Sequence, residues 1–241
     1  MVVMNKKDDC KFCSGSVILL VYTVLTVVSS IANCITLGEP TAFIGLAYSL
    51  IALNVPALVL LFLKKRGLPL AICFFITALI HIYAIVNNIS TYVELGGGTY
   101  NVLPYLLILQ AIRIFSTCTL FFINIAFGFL SLASDERKFK AFAKIKKMLF
   151  IVLMSFLGIR LVANIVFDII NGIHVYDLLL YAIDMFFSGE LLALAPFASM
   201  FFSSFLIWLH IVAWVFVGMW LINNPIKEKK GLDDDIAKVV A

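Results

Sequence analysis

Residues 102–133 read VLPYLLILQAIRIFSTCTLFFINIAFGFLSLA, and residues 137–147 read RKFKAFAKIKK. The first run is apolar for longer than the ~20 residues that cross a ~30 Å hydrocarbon core. The second is dense in lysine, and another apolar run, 148–171, follows it at once. An apolar run, a basic collar and a second apolar run make a membrane hairpin whose turn stays on the cytoplasmic side. The first run would reach ~48 Å at ~1.5 Å per residue, so it tilts or extends past the bilayer. The basic collar reads as a short amphipathic helix on the inner leaflet.

The same alternation recurs along the chain. Apolar runs cover about 16–38, 41–64, 68–88, 102–133, 148–171 and 197–222. The chain has 18 lysines and arginines. All but Arg113 and Arg160 fall in four segments: Lys6 to Lys11, Lys64 to Arg66, Arg137 to Lys147, and Lys227 to Lys238. The connections near Glu39-Pro40, Asn87 to Asn101 and Asn171 to Asp177 carry none. This asymmetry predicts an all-α polytopic membrane protein with six transmembrane helices and both termini cytoplasmic. Three regions follow: a cytoplasmic N-terminus over 1–15, a helical bundle over 16–222, and a cytoplasmic tail over 223–241. The run starting at Ser16 is too long for a signal-peptide core and reads as a span that stays.

Composition excludes a soluble globular domain. The chain is 63% apolar and 13% charged, against roughly 25% charged in soluble domains. The net charge of +4 belongs to the collars, so a nucleic-acid partner is not expected. Lipid is the expected surroundings, and short loops point to a bacterial inner (plasma) membrane.

Residues 177–196 are apolar but carry Asp177, Tyr181, Asp184 and Ser188 on one helical face. A seventh span there would put Lys227 to Lys230 outside, against the charge rule. The expectation is an outer interfacial or re-entrant helix ending near Ser188-Gly189-Glu190. In the second span, Pro56 removes a backbone donor, which predicts a kink.

Polar stripes run along the spans. Gln110, Arg113, Thr117, Asn124 and Ser131 share a face, as do Arg160, Asn164, Asp168 and Asn171. Ser199, Ser203, His210 and Trp214 form a third stripe, and Thr77 aligns with His81. By residue count Arg160 and His210 lie near the midplane, with Asp168 and Arg113 nearer the outer surface. An unpaired arginine at the centre costs ~2.5–3.5 kcal/mol on insertion scales, so Arg113 is expected to pair with Asp168 or Asp184. Interhelical hydrogen bonds worth ~0.6 kcal/mol each would account for the neutral polar residues. Two arginines and two aspartates exceed that need. The stripes therefore predict a hydrated, outward-opening cavity lined by Gln110, Arg113, Arg160, Asn164, Asp168, Asp184 and His210. His81 is expected to be a satisfied interhelical donor.

No chemistry-bearing motif appears. There is no H-E-x-x-H, no G-x-S-x-G and no phosphate loop. Cys10 and Cys13 have C-x-x-C spacing but no second pair, so they read as reduced thiols and not as a metal site. No catalytic residue, metal or cofactor is expected. The favoured function is a transport component, a permease or solute-binding bundle for a small polar or charged solute. The alternative is a sensor, immunity or assembly protein that binds a partner. An intramembrane lipid-modifying enzyme is less favoured. Six spans are similar in layout to permease subunits that work with an ATPase subunit, although the short connection from Lys64 to Leu68 offers an ATPase little surface.

Overall fold

A computed structural model of the chain describes residues 17–28, 31, 47, 50–52, 54–63, 65–97, 104–136, 138–189 and 195–224. Its elements are helices: α1 (Val17–Val28), α2 (Val55–Phe62), α3 (Leu68–Gly97), α4 (Pro104–Ala133), α5 (Lys140–Lys144), α6 (Lys146–Phe187) and α7 (Ala195–Asn223). Prolines 69 and 104 stand in the first turns of α3 and α4, where a missing N–H costs nothing.

Four stretches are long and apolar enough to cross a membrane: Leu68–Gly96, Pro104–Ala133, Lys146–Ile173 and Ser204–Asn223. The chain is an integral membrane helical protein. Of the six expected spans, the last four are these helices. The first two contain α1 and α2, and their other residues lie largely outside the described set. So do the 1–15 segment with Cys10 and Cys13, and the tail beyond Asn224.

α4 is the hub. It packs against α3, α5 and α6 and touches α7. Gly128 lets α3 approach, because a Cβ there would collide with the Phe75 ring. Phe74, Phe127 and Trp214, from α3, α4 and α7, meet at ring-centroid distances of 5.0, 5.4 and 5.0 Å. Leu130, Leu153, Leu157, Val217 and Leu221 extend this core towards one end. Lipid tails are as apolar as these side chains, so close packing holds the helices together here.

That end is basic. Lys65, Lys138, Lys140, Lys144 and Lys147 are exposed there. α5 is the expected amphipathic piece, shortened to one turn, with the Phe142 ring 5.5 Å from Phe129 and its lysines turned out. Lys146 donates to Glu136 at 3.0 Å. The α2–α3 connection is locked down. Arg66 donates from Nη1 to the Asn224 carbonyl and lies 4.2 Å from the centre of the Trp220 ring. Burial lowers the Arg66 guanidinium from its ordinary value, yet an arginine remains a cation. Gly67 adopts φ +71° against the buried Asp135, a conformation that favours glycine.

Two expectations meet the structure differently. The predicted kink is a full break: Asn54 takes φ 61°, and α2 restarts at Val55 with Pro56 in its first turn. Asn tolerates that left-handed turn. The Ile51 carbonyl is then reached by the Asn54 N–H at 2.8 Å and by Thr77 Oγ1 from α3 at 3.2 Å. The separate outer helix over 177–196, by contrast, is not formed. α6 is one helix of 42 residues, about 63 Å long. Asn171 and Gly172 weaken a helix by about 1 kcal/mol or less apiece, and no proline interrupts the run. α6 stops at the expected place, where Gly189 takes φ +106° and Ser188 N–H returns to the Asp184 carbonyl.

Candidate solute site

Three ionisable or polar spans meet at one level. His81 on α3, Arg160 on α6 and His210 on α7 each lie about 20 Å along their helices from the basic end, at ~1.5 Å per residue. With the last turn at that end among the headgroups, the level falls near the middle of a ~30 Å core. Arg160 is 5% exposed, His81 5% and His210 4%. α1 closes the layer: the Tyr22 ring stacks on His210 with centroids 5.2 Å apart and planes 3° apart. Trp214, one turn further along α7, presents an edge to His210 at 5.6 Å.

The layer lacks a balancing charge. Tyr22, His81 and His210 all lie within electrostatic range of Arg160. Among the described residues, Arg160 forms no ion pair with a carboxylate. Tyr22 Oη, Arg160 Nε and Nη1, His81 Nε2, His210 Nε2, Asn164 Nδ2 and Trp214 Nε1 are buried without hydrogen-bond partners. Guanidinium, indole and amide nitrogens only donate. The layer is therefore rich in donors and carries one fixed positive charge, while the Tyr22 hydroxyl and the two imidazoles can donate or accept.

The expected site residues divide. Arg160, Asn164 and His210 are brought to this layer or one turn from it. Gln110 is buried elsewhere: its Nε2 donates to the Asn88 carbonyl at 3.0 Å, while Asn88 Nδ2 reaches Thr117 Oγ1 at 3.3 Å. These bonds tie α3 to α4. Asp168 is half-buried and accepts from Ser204 Oγ at 2.7 Å, tying α6 to α7. Arg113 and Asp184 are exposed. Among the described residues, Arg113 pairs with neither Asp168 nor Asp184. It sits at the edge of its stripe, about 60° round the helix from Gln110, and that edge looks outward. Asp184 lies on the part of α6 beyond Ile173, where, among the described residues, Ala182 is buried.

Three participants were not in the expected site. His81 was read as satisfied, but its Nε2 has no partner. Tyr22 and Thr26, four residues apart and both buried, share a face of α1, a weak stripe within an otherwise apolar run. Ser204 lies one position off the stripe that predicted Ser203. Histidines facing each other at matched depth on different spans are the signal that would have found His81.

No family model matches this chain, nor does any curated protein or solved structure. The functional reading therefore rests on the site itself.

Proposed function

We propose that the chain is a six-span membrane transport component, with both termini cytoplasmic, that binds a small polar or charged solute at the Arg160 layer. The observation that carries this reading is the unpartnered Arg160 guanidinium, buried at mid-membrane. A structural arginine is held by carboxylates or carbonyls, whereas this one leaves Nε and Nη1 unpartnered, and an uncompensated arginine at this depth costs ~2.5–3.5 kcal/mol. Two features support it. Transporter sites form at mid-membrane beside broken helices, and the break at Asn54 is bonded to Thr77, one turn from His81. The layer is also asymmetric. Towards the basic end lies the packed floor of Phe74, Phe127 and Trp214; towards the other end lie Asn164 and then Asp168 with Ser204. Access runs from the side opposite the basic collar, which is the outside under the charge rule.

The α2–α3 connection is engaged by Asn224, Trp220 and Asp135, which favours a carrier working without an ATPase subunit. The short loops favour a bacterial inner membrane. Electrical recording from reconstituted proteoliposomes, over a panel of small anions, cations and amino acids, tests the function. A current shown by the wild type and lost in Arg160→Met supports it. No current across the panel, or one that survives the substitution, refutes it.

A second reading, a partner-binding membrane protein, draws on one feature. Beyond Ile173, α6 presents Tyr176, Leu180, Tyr181 and Phe187, from 48% to 82% exposed. Stoichiometric co-purification of a protein that is lost when Tyr181 and Phe187 are changed to Ser would favour this reading over transport.

A further inference from the structure

We infer that the Arg160 layer takes a monovalent carboxylate on a short apolar body, such as a small monocarboxylic acid. The inference rests on the layer being a solute site, and it follows from charge, donor geometry and the wall opposite.

The fixed charge at the layer is a single guanidinium. One negative charge neutralises it, and a dianion would leave a surplus at mid-membrane, where uncompensated charge is expensive. A guanidinium is a planar fork that matches the two oxygens of a carboxylate. The surrounding groups are neutral: Asn164 Nδ2 and Trp214 Nε1 donate, and the Tyr22 hydroxyl and the two imidazoles can donate to an anion. They would satisfy the remaining lone pairs of the carboxylate and would leave a cation unbound. The wall on the basic side is aromatic, formed by Tyr22 and Trp214 above Phe74 and Phe127. It favours hydrocarbon over a second polar group. Its ring contacts are close, so the body that fits is compact.

Trp214 reports on the site. The chain has three tryptophans, Trp208, Trp214 and Trp220. Trp208→Phe with Trp220→Phe leaves Trp214 alone against His210. The purified full chain carrying both changes is titrated with sodium acetate, sodium butyrate, sodium chloride and sodium phosphate at constant ionic strength, and Trp214 emission is followed. Saturable changes with acetate and butyrate are expected, butyrate the tighter, with chloride and phosphate at least tenfold weaker. Arg160→Lys keeps the charge but loses the fork, and should weaken acetate at least tenfold. Arg160→Met should abolish saturation.

Equal response to chloride or phosphate, no saturable response to any carboxylate, or unchanged acetate binding in Arg160→Lys would overturn the inference. Retained near-ultraviolet circular dichroism in both variants separates lost binding from lost folding. Saturable carboxylate binding without any proteoliposome current would keep this inference and refute the transport reading. A current dependent on Arg160 and carried by a solute lacking a carboxylate would do the reverse.

Discussion

Replacing Arg160 by Met should make the protein more stable while removing the solute site proposed for it. Arg160 is 5% exposed, and its Nε and Nη1 have no partner. Unfolding in a mixed-detergent titration with SDS moves the side chain to a charged, wet micelle surface. The folded state therefore bears a burial cost that the unfolded state escapes, on the order of 2–3 kcal/mol by insertion scales. Methionine fills most of the aliphatic volume and needs no partner. The expected gain in unfolding free energy is about 2 kcal/mol after a modest loss of packing. The opposite sign belongs to a structural role: removing one partner of a buried ion pair destabilises by about 3–5 kcal/mol. The two accounts thus differ by several kcal/mol and in direction. Trp fluorescence and circular dichroism against SDS mole fraction measure the change. A loss of 1 kcal/mol or more in Arg160→Met would refute the claim that this arginine is held unpaired for binding.

Other substitutions probe the frame around the layer. Gly128→Leu drives a side chain into Phe75 at the α3–α4 contact and should cost about 1–3 kcal/mol in the same titration; an unchanged midpoint would mean the helices do not approach there. The Asp168–Ser204 bond should give a coupling of about 0.6–1.7 kcal/mol in a double-mutant cycle with Asp168→Asn and Ser204→Ala, and additivity would refute the contact. Arg66→Ala removes both the Asn224 bond and the Trp220 stacking. It should shift Trp220 emission and cost about 0.5–2 kcal/mol, whereas an unaltered spectrum would place Arg66 elsewhere.

The membrane class was legible because a bilayer imposes a length and a charge asymmetry that few other surroundings do. The four long helices and the basic end follow from those constraints alone. The buried polar layer was legible only where a residue is costly at depth, as with Arg160, Asn164 and His210. Stripes at spacing four drift, because each such step advances a 3.6-residue helix by about 40° past a full turn. Asp168 stands about 80° round from Arg160 and meets α7 at Ser204 instead. Arg113 shares a sector with Gln110 yet lies at its outward edge. The helix through 171–177 was misread because Asn, Gly and Asp suit a loop and are also tolerated in a helix that tertiary packing sustains.

Tyr22 marks the step from a polar accident to a built layer. Three spans could each carry one costly residue for separate reasons, and His81, Arg160 and His210 would then lie at unrelated depths. They share a level, and α1 adds a ring stacked 3° from parallel with His210. Below that level the bundle is sealed by aromatic contacts between 5.0 and 5.4 Å, and away from it the polar residues resume with Asn164. Polar atoms without partners also occur nearer the basic end, at Asn124 Oδ1 and Ser131 Oγ, but there they surround no charge. Structural hydrogen bonding would leave the layer's groups paired, as Gln110 and Asp168 are. A layer that is level and unpaired around a buried arginine has the arrangement that the proposed binding requires.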